Sequence, residues 1–292
     1  MKQQVGSFIS WSSLYWFCVT CLGISSCVGR LEPNNLSEAQ QAYFNPDWAQ
    51  NKFWDDGLAE VAIYQAERVV YKQPRAFEYT LITVKEDFNQ AHNVKTDDYN
   101  RSDLFPVLKV NQFCRIPTEN YPYHYLTSLF FRRENPVTVH KITSSSQEWC
   151  GNTFKAITNT GNNFSYNFNS YWDEQGTGQA ELPQDILFED QLPYTLRSLR
   201  FKEGLTGMVS IAELLQTNKA NKPTVYQASF FIISDNTGAN DNLWRVKVKL
   251  APDKENIYWF RKEYPNILVK QQTWDGRTLQ LKEVKRYAYW QK

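Results

Sequence analysis

The segment 267–284 reads ILVKQQTWDGRTLQLKEV, and it decides the fold class. Two strand-like runs flank Asp275-Gly276, a dipeptide that favours the centre of a two-residue hairpin turn. The segment therefore predicts strands at 267–274 and 278–290, joined directly by that turn. Because so short a turn can join only antiparallel strands, this end of the chain is predicted to form an antiparallel sheet.

The same signal recurs along most of the chain. Residues 164–172 (FSYNFNSYW) alternate strictly, which places aromatic side chains on one face of a strand and polar ones on the other. Further strands are predicted at 57–72, 75–87, 105–113, 121–134, 136–147, 151–160, 206–215, 224–234, 243–250 and 256–263. Most connections are short and no βαβ rhythm is present, so a parallel sheet is not expected.

Two segments are predicted to be helical, at 37–54 and 182–201. The second begins with Pro183 where proline is tolerated, and Pro193 should kink or divide it. We therefore expect a mainly β fold, in which a single large curved antiparallel sheet or half-open barrel wraps around the 182–201 helix. Two stacked sheets are the alternative.

The N-terminal residues predict where in the cell the protein is located. Residues 14–24 (LYWFCVTCLGI) form an apolar run of 11 residues, which fits a secretory signal and is too short to span a bilayer. Ile24-Ser25-Ser26-Cys27 follows, and it resembles the lipobox of bacterial lipoproteins, whose cysteine thiol takes the diacylglycerol. This predicts a signal peptide at 1–26, a lipidated Cys27 with a tether to residue 36, and a single β-rich domain at 37–292. Ordinary cleavage and an uncleaved anchor are the alternatives.

The residues that follow Cys27 indicate in which membrane the protein is anchored. As a class, lipoproteins with Asp directly after the cysteine stay in the inner membrane, and surface-exported ones tend to carry acidic residues there. Here the residues are Val28, Gly29 and Arg30. We therefore expect an outer-membrane protein, anchored by its acyl chains and facing the periplasm.

The net charge of the chain bears on which classes of partner it could bind. The chain has 32 basic and 31 acidic side chains, a formal net charge of +1. This balance gives no support for nucleic-acid binding, which needs a basic excess. The expected partners are the membrane, through the anchor, and a lipid, a glycan or another envelope protein.

Catalytic and metal-binding motifs are scarce. The sequence contains no G-x-S-x-G elbow, no H-E-x-x-H motif, no phosphate-binding glycine loop and no dinucleotide fingerprint. The three histidines are not spaced as a metal pair, so we expect no metal and no other cofactor.

The segment 144–152 (SSSQEWCGN) is the one weak candidate for catalysis. Cys150 could act as a nucleophile with His124 or His140 as the base, and Glu148 could orient the histidine. Alternatively, the segment is a polar strand edge with Trp149 in the core. Cys150 could also form a disulfide with Cys114 in an oxidising periplasm, the alternative being two free thiols.

Aromatic side chains are the candidates for binding. Tyr121, Tyr123, Trp149 and Trp172 come from neighbouring predicted strands. Ring faces stack on sugars or cover lipid chains at a small cost in entropy. The alternative is that these rings belong to the core.

Four stretches carry a resemblance to a family: WDDGLAEVAIYQ (54–65), VLKVN (107–111), YPYHYLTSLF (121–130) and SSSQEWCG (144–151). Together they resemble an uncharacterised family of Bacteroidetes lipoproteins whose members are often labelled "septum formation inhibitor Maf". True Maf proteins are α/β nucleotide pyrophosphatases with a Ser-Pro-Arg-Arg motif, which this chain lacks. The resemblance therefore implies location and architecture, and no catalytic residue.

The leading hypothesis is a non-enzymatic, lipid-anchored envelope protein whose curved sheet binds an apolar ligand or a partner protein. The alternatives are a thiol-dependent hydrolase or transferase that uses Cys150, and a glycan-binding protein.

Overall fold

The computed structural model describes residues 38–235 and 242–291. The predicted signal peptide, Cys27 and the tether lie outside the described residues, so their predictions stay predictions.

The described residues contain sixteen strands. In chain order they are β1 (Ala59–Val70), β2 (Gln73–Asn89), β3 (Val94–Lys95), β4 (Leu104–Ile116), β5 (Tyr123–Arg132), β6 (Val139–Glu148), β7 (Gly151–Asn159), β8 (Asn163–Ser170), β9 (Thr177–Pro183), β10 (Ile186–Phe188), β11 (Thr206–Ala212), β12 (Val225–Asp235), β13 (Leu243–Ala251), β14 (Lys254–Arg261), β15 (Leu268–Gln272) and β16 (Thr278–Tyr287). Two α-helices join them, α1 (Glu38–Tyr43) and α2 (Leu192–Thr195).

One continuous sheet holds all of these strands. Its order is β10-β11-β12-β13-β14-β15-β16-β1-β2-β4-β5-β6-β7-β8-β9, with β3 paired to β2 outside this path. Neighbours are antiparallel except β10 and β11, which are parallel. The prediction of one large antiparallel sheet is confirmed, and the alternative of two stacked sheets is wrong.

The sheet curves until its two edges approach each other. β9 and β10 are the edge strands, and only two residues separate Pro183 from Ile186. Three residue steps span at most about 11 Å. The sheet is therefore a nearly closed barrel with an unsealed seam between β9 and β10.

The barrel is filled by side chains and by the segment 189–199, which follows the edge strand β10 and in which every residue is buried. A helix over 182–201 is wrong for most of this length: the segment contains the end of β9, β10, the single turn α2, and 3-10 turns on both sides of α2. Pro193 lies in the first turn of α2, because a proline has no N–H to donate further along a helix.

The predicted helix at 37–54 is also shorter than expected. α1 is followed by two 3-10 helices, Pro46–Gln50 and Lys52–Asp55. Asn45 and Asn51 cap these two helices through their side-chain oxygens. Trp48 and Trp54 are buried in the main core as a result.

The hairpin predicted around Asp275-Gly276 is confirmed as β15–β16, but its loop is longer than two residues. Thr273 N donates to Arg277 O at 2.9 Å and Gly276 N donates to Thr273 O at 3.0 Å. Gly276 has φ +80°, the left-handed conformation that closes a three-residue loop.

Candidate functional site

Four turns meet at one end of the barrel, because consecutive antiparallel strands reverse direction. They join β1 to β2, β4 to β5, β6 to β7 and β8 to β9. Each turn carries aromatic side chains. We call this set the aromatic rim: Tyr71, Tyr121, Tyr123, Trp149, Tyr171 and Trp172.

The rings of the rim form two groups of contacts, one of Tyr71, Tyr121, Tyr123 and Trp149 and the other of Tyr171 and Trp172. Tyr121 stacks on Trp149 with ring centroids 6.1 Å apart and lies 5.8 Å from Tyr123. Tyr71 lies 6.2 Å from Tyr123, and Tyr171 meets Trp172 edge to face at 5.6 Å. The structure therefore brings three of the four aromatic residues named from the sequence into contact, Tyr121, Tyr123 and Trp149. The fourth, Trp172, contacts Tyr171 in a neighbouring turn at the same end of the barrel.

Exposure divides the rim into two layers. Trp149 is 79% exposed, Tyr171 63% and Tyr71 60%, whereas Tyr123 is buried. Tyr123 stacks inward on buried Tyr125, at 6.2 Å. The alternative that Trp149 belongs to the core is wrong, while the core interpretation fits Tyr123.

Hydroxyl groups link the two layers. Tyr71 OH forms hydrogen bonds with Tyr123 OH and, at 3.4 Å, with Tyr121 OH. The Cys150 thiol donates to Tyr121 OH at 3.5 Å, and this hydrogen bond raises the pKa of Tyr121. Burial raises the pKa of Tyr123. Tyr121 and Tyr123 therefore remain protonated near neutral pH and can donate hydrogen bonds.

The rim contains an unfavourable backbone conformation. The β1–β2 turn consists of Tyr71 and Lys72, with φ +54° and +61°. Val70 pairs directly with Gln73, so the turn lies at residues 71–72 and not in the gap between the predicted strands 57–72 and 75–87. Glycine or asparagine normally occupies such a turn, since the left-handed region is costly for other side chains. Strain of this kind is concentrated at functional sites.

A glycine makes room for Tyr171. A Cβ atom on Gly151 would lie 2.3 Å from Cγ of Tyr171. The tyrosine ring therefore lies directly on the backbone at the start of β7, next to Cys150. This contact joins the β8–β9 turn to the β6–β7 turn.

The residues proposed for thiol catalysis are not assembled. His140 lies near the start of β6 and Cys150 follows its end, about 30 Å away for an extended strand. His124 pairs with Gln147 and is exposed on the outer face. Glu148 is the next residue along β6, so its side chain lies on the opposite face from His124.

Glu148 lies beneath the rim instead. Its Oε1 accepts a hydrogen bond from Asn218 Nδ2 at 3.1 Å, and its Oε2 is buried with no partner among the described residues. It contributes negative charge near Tyr123.

Cys114 and Cys150 lie in different environments and are free thiols. Cys114 is buried inside the barrel, and burial raises its pKa to about 12. Cys150 is exposed at the β6–β7 turn. The disulfide between them is therefore not formed in the structure.

His140 packs on the outer face of the sheet. Its Nε2 donates to Asn93 Oδ1 at 2.6 Å, and its ring meets Phe105 edge to face at 5.3 Å. Burial lowers the pKa of His140 to about 4, and the nearby charges of Arg132 and Lys141 act in the same direction.

The burial of His140 predicts that the folded protein loses stability at acidic pH. Because the folded-state pKa of about 4 lies below the usual 6.5 of histidine, the unfolded chain takes up the proton first as the pH falls. Between pH 6.5 and pH 4 the free energy of unfolding should therefore fall. For this partly exposed ring we expect a loss of about 2 kcal/mol. Urea unfolding at pH 7 and pH 4.5 should show a smaller pH-dependent loss for His140→Gln than for the wild type. His124→Gln, an exposed control, should behave as wild type, and equal slopes for all three proteins would contradict the assignment.

The sequence did not single out Tyr71. It falls inside a predicted strand, and no turn-forming dipeptide marks its position. The available signal was the strand length, since an antiparallel pair needs a turn between 57–72 and 75–87.

Among residues 38–235 and 242–291, no group of three or more His, Cys, Asp or Glu side chains could hold a metal ion. No helix in these two ranges is both long and apolar enough to cross a membrane.

Comparison with known proteins adds little. No protein-family model and no curated protein matches the chain. Among solved structures, the chain is similar to the crystal structure of a DUF1089 family protein from Pseudomonas aeruginosa, with 12% sequence identity and a TM-score of 0.36. The alignment covers 55% of this chain and 82% of that one. A TM-score this low does not establish a common fold.

Proposed function

We propose that this chain is a non-enzymatic binding module of the bacterial envelope, whose aromatic rim binds a partner protein. Cys27 anchors it to the outer membrane, with the domain facing the periplasm. The observation that carries the proposal is the exposure of Trp149, Tyr71 and Tyr171 together at one end of the barrel.

The chemistry of the rim favours a protein surface. Tyrosine and tryptophan are the residues most enriched at the energetic centres of protein interfaces, because they bury a large area while losing few rotamers. Three large rings exposed in one place leave an apolar area that a partner would remove from water. The phenol hydroxyls supply hydrogen-bond donors at the same place.

The conformation of Tyr71 supports the same conclusion. A tyrosine with φ +54° costs stability that glycine would save. Its ring and hydroxyl reach Tyr121 and Tyr123 from this position. The strained turn therefore presents a ring that a relaxed turn would direct elsewhere.

The interior is less suited to an apolar ligand than the rim. Segment 189–199 and a large cluster of buried apolar side chains occupy the space that the sheet encloses. A small apolar molecule would have to displace packed groups. The rim requires no such rearrangement.

Photo-crosslinking tests the proposal. A benzophenone amino acid replaces Trp149 in cells that produce the full chain, and replaces the exposed Phe113 on β4 as a control. We expect a protein-sized adduct from position 149 and none from 113. Tyr171→Ala in the same background should lower the adduct yield about thirtyfold, since an aromatic hot spot contributes about 2 kcal/mol.

Other outcomes count against a protein partner. An adduct that carries only lipid, or only glycan, would replace the partner protein with that ligand. Equal adducts from positions 149 and 113 would overturn the rim as a specific surface.

A further inference from the structure

A second concave site lies at the opposite end of the barrel from the aromatic rim, beside the end of β2 that extends past the start of β1. Its volume is about 500 Å³, within the range of roughly 300–1,000 Å³ that small-molecule sites occupy. The turn before β1, the end of β2, the loop before β4 and the segment after β16 surround it.

The floor of this site is apolar. Val84 lines it and belongs to a small cluster of buried residues on β1 and β2, separate from the main core: Ala59, Val61, Ile82 and Val84. These side chains point away from the barrel interior. A ligand on this floor would cover apolar surface without entering the core.

The walls are aromatic. Tyr99, Tyr289 and Trp290 line the site and are exposed. The rings of Tyr289 and Trp290 meet edge to face, with centroids 5.0 Å apart and planes at 83°. Such a corner presents one ring face and one ring edge to the same volume.

The charged groups around the site are mostly paired with one another. Lys85 donates to Asp55 at 2.7 Å, and Lys95 to Asp97 at 3.1 Å. Glu86 pairs with Lys109. Hydrogen bonds from Arg133 and Lys85 lower the pKa of Asp55 to about 2, so this pair remains charged near neutral pH.

Asp87 differs from these groups. It lines the site, and its carboxylate forms no ion pair with any described residue. Lys85 and Lys95 each already donate to a carboxylate. The group left to interact with a ligand is therefore the Asp87 carboxylate, a hydrogen-bond acceptor beside aromatic rings.

We infer that this site binds a saccharide. A sugar ring has an apolar face of C–H groups that can cover an aromatic side chain, and hydroxyl groups that can donate to a carboxylate. Val84, Tyr99 and Trp290 supply apolar contacts, and Asp87 supplies the acceptor. The inference does not depend on the aromatic rim, from which this site is separate.

Calorimetric titration of the full-length protein tests the inference. The protein is kept in an amine-oxide detergent, because maltoside detergents carry a sugar headgroup. The probes are maltose, cellobiose and N,N′-diacetylchitobiose, each up to about 10 mM, a concentration that detects sites near −3 to −4 kcal/mol. We expect saturable binding of at least one of them.

Three variants locate the binding. Trp290→Ala and Asp87→Asn should each weaken it about tenfold, while Trp149→Ala on the rim should leave it within about twofold. These side chains are exposed or half-buried, so far-ultraviolet circular dichroism and the midpoint of urea unfolding should stay unchanged and exclude misfolding. Absence of saturable binding for all three sugars would overturn the inference. So would wild-type affinity in both site variants, or loss of binding in Trp149→Ala.

Discussion

Arg197→Met should lower the free energy of unfolding by about 3–5 kcal/mol, because it leaves a buried carboxylate without its partner. Arg197 and Glu60 are 2% and 1% exposed. The guanidinium donates to the two Glu60 oxygens at 2.7 and 2.9 Å, and its Nε donates to Pro265 O at 2.9 Å.

The pair also organises the end of the barrel that the N-terminal 3-10 helices cover. The Arg197 guanidinium lies 5.1 Å from the Trp48 ring and 5.7 Å from the Trp54 ring. Its loss therefore removes cation–π contacts together with the ion pair. The segment 186–199 would lose its strongest polar attachment to β1.

Urea and thermal unfolding of the full-length protein measure the effect. At about 2–4 °C per kcal/mol for a domain of this size, Tm should fall by about 10 °C. The control is Lys282→Met, which breaks the exposed Lys282–Glu78 pair and should change stability by less than about 1 kcal/mol. The double variant Glu60→Met/Arg197→Met should be more stable than either single variant, since no buried charge is left alone. A loss below about 1 kcal/mol in Arg197→Met would show that water reaches the pair.

Lys155→Met should cost about 3 kcal/mol and release the loop 213–224, because it removes a charged donor from several buried acceptors. Lys155 Nζ donates to Leu215 O, to Thr217 O at 2.9 Å and to Lys219 O at 2.6 Å. Thr217 Oγ1 accepts a further bond at 3.2 Å.

Asp190 holds the same loop from the other side. Its carboxylate accepts from Leu215 N at 2.6 Å and from Gln216 N at 3.0 Å. Burial lowers the pKa of Lys155 to about 8, so the ammonium form is still the main one at pH 7. The loop therefore depends on two buried side chains, the donor Lys155 and the acceptor Asp190.

Limited proteolysis at pH 7, combined with urea unfolding, checks this prediction. Cleavage within 213–224 should become much faster in Lys155→Met, while the sheet remains resistant. Lys249→Met, an exposed lysine on β13, is the matched control and should stay within about 0.5 kcal/mol of the wild type. Unchanged cleavage at the loop would refute the role given to Lys155.

Much of the sheet could be predicted from local pattern. Alternation in FSYNFNSYW placed Phe164 and Tyr166 on the buried face of β8, and Asp275-Gly276 located the last hairpin. These signals are local, because the two-residue period of a strand and the φ of a turn depend on neighbouring residues alone.

The interior segment was misjudged for a physical reason. LPQDILFEDQLPYTLRSLRF has apolar residues at spacings that suit a helix, but all of residues 186–199 are buried. A segment surrounded on every side needs no amphipathic period, so its apolar spacing does not distinguish a helix from a strand followed by turns. Pairing of β10 with β11 decided the outcome.

The candidate sites, too, could be predicted from the sequence only in part. The sequence identified Tyr121, Trp149 and Trp172 as candidates, since large aromatic side chains have few roles besides core packing and binding. It could not separate exposed Trp149 from buried Tyr123, nor show that His124 and Glu148 lie on opposite faces.

By itself, the amino-acid sequence determined which segments become strands, which faces of them are apolar, and where several turns fall. Only the tertiary structure decided that the two edges of the sheet approach each other, that segment 189–199 fills the barrel, and that four turns with aromatic side chains meet at one end. The physical reason is that strand formation depends on nearest neighbours, whereas closure depends on the summed twist and curvature of all strands and on contacts between residues far apart in the chain.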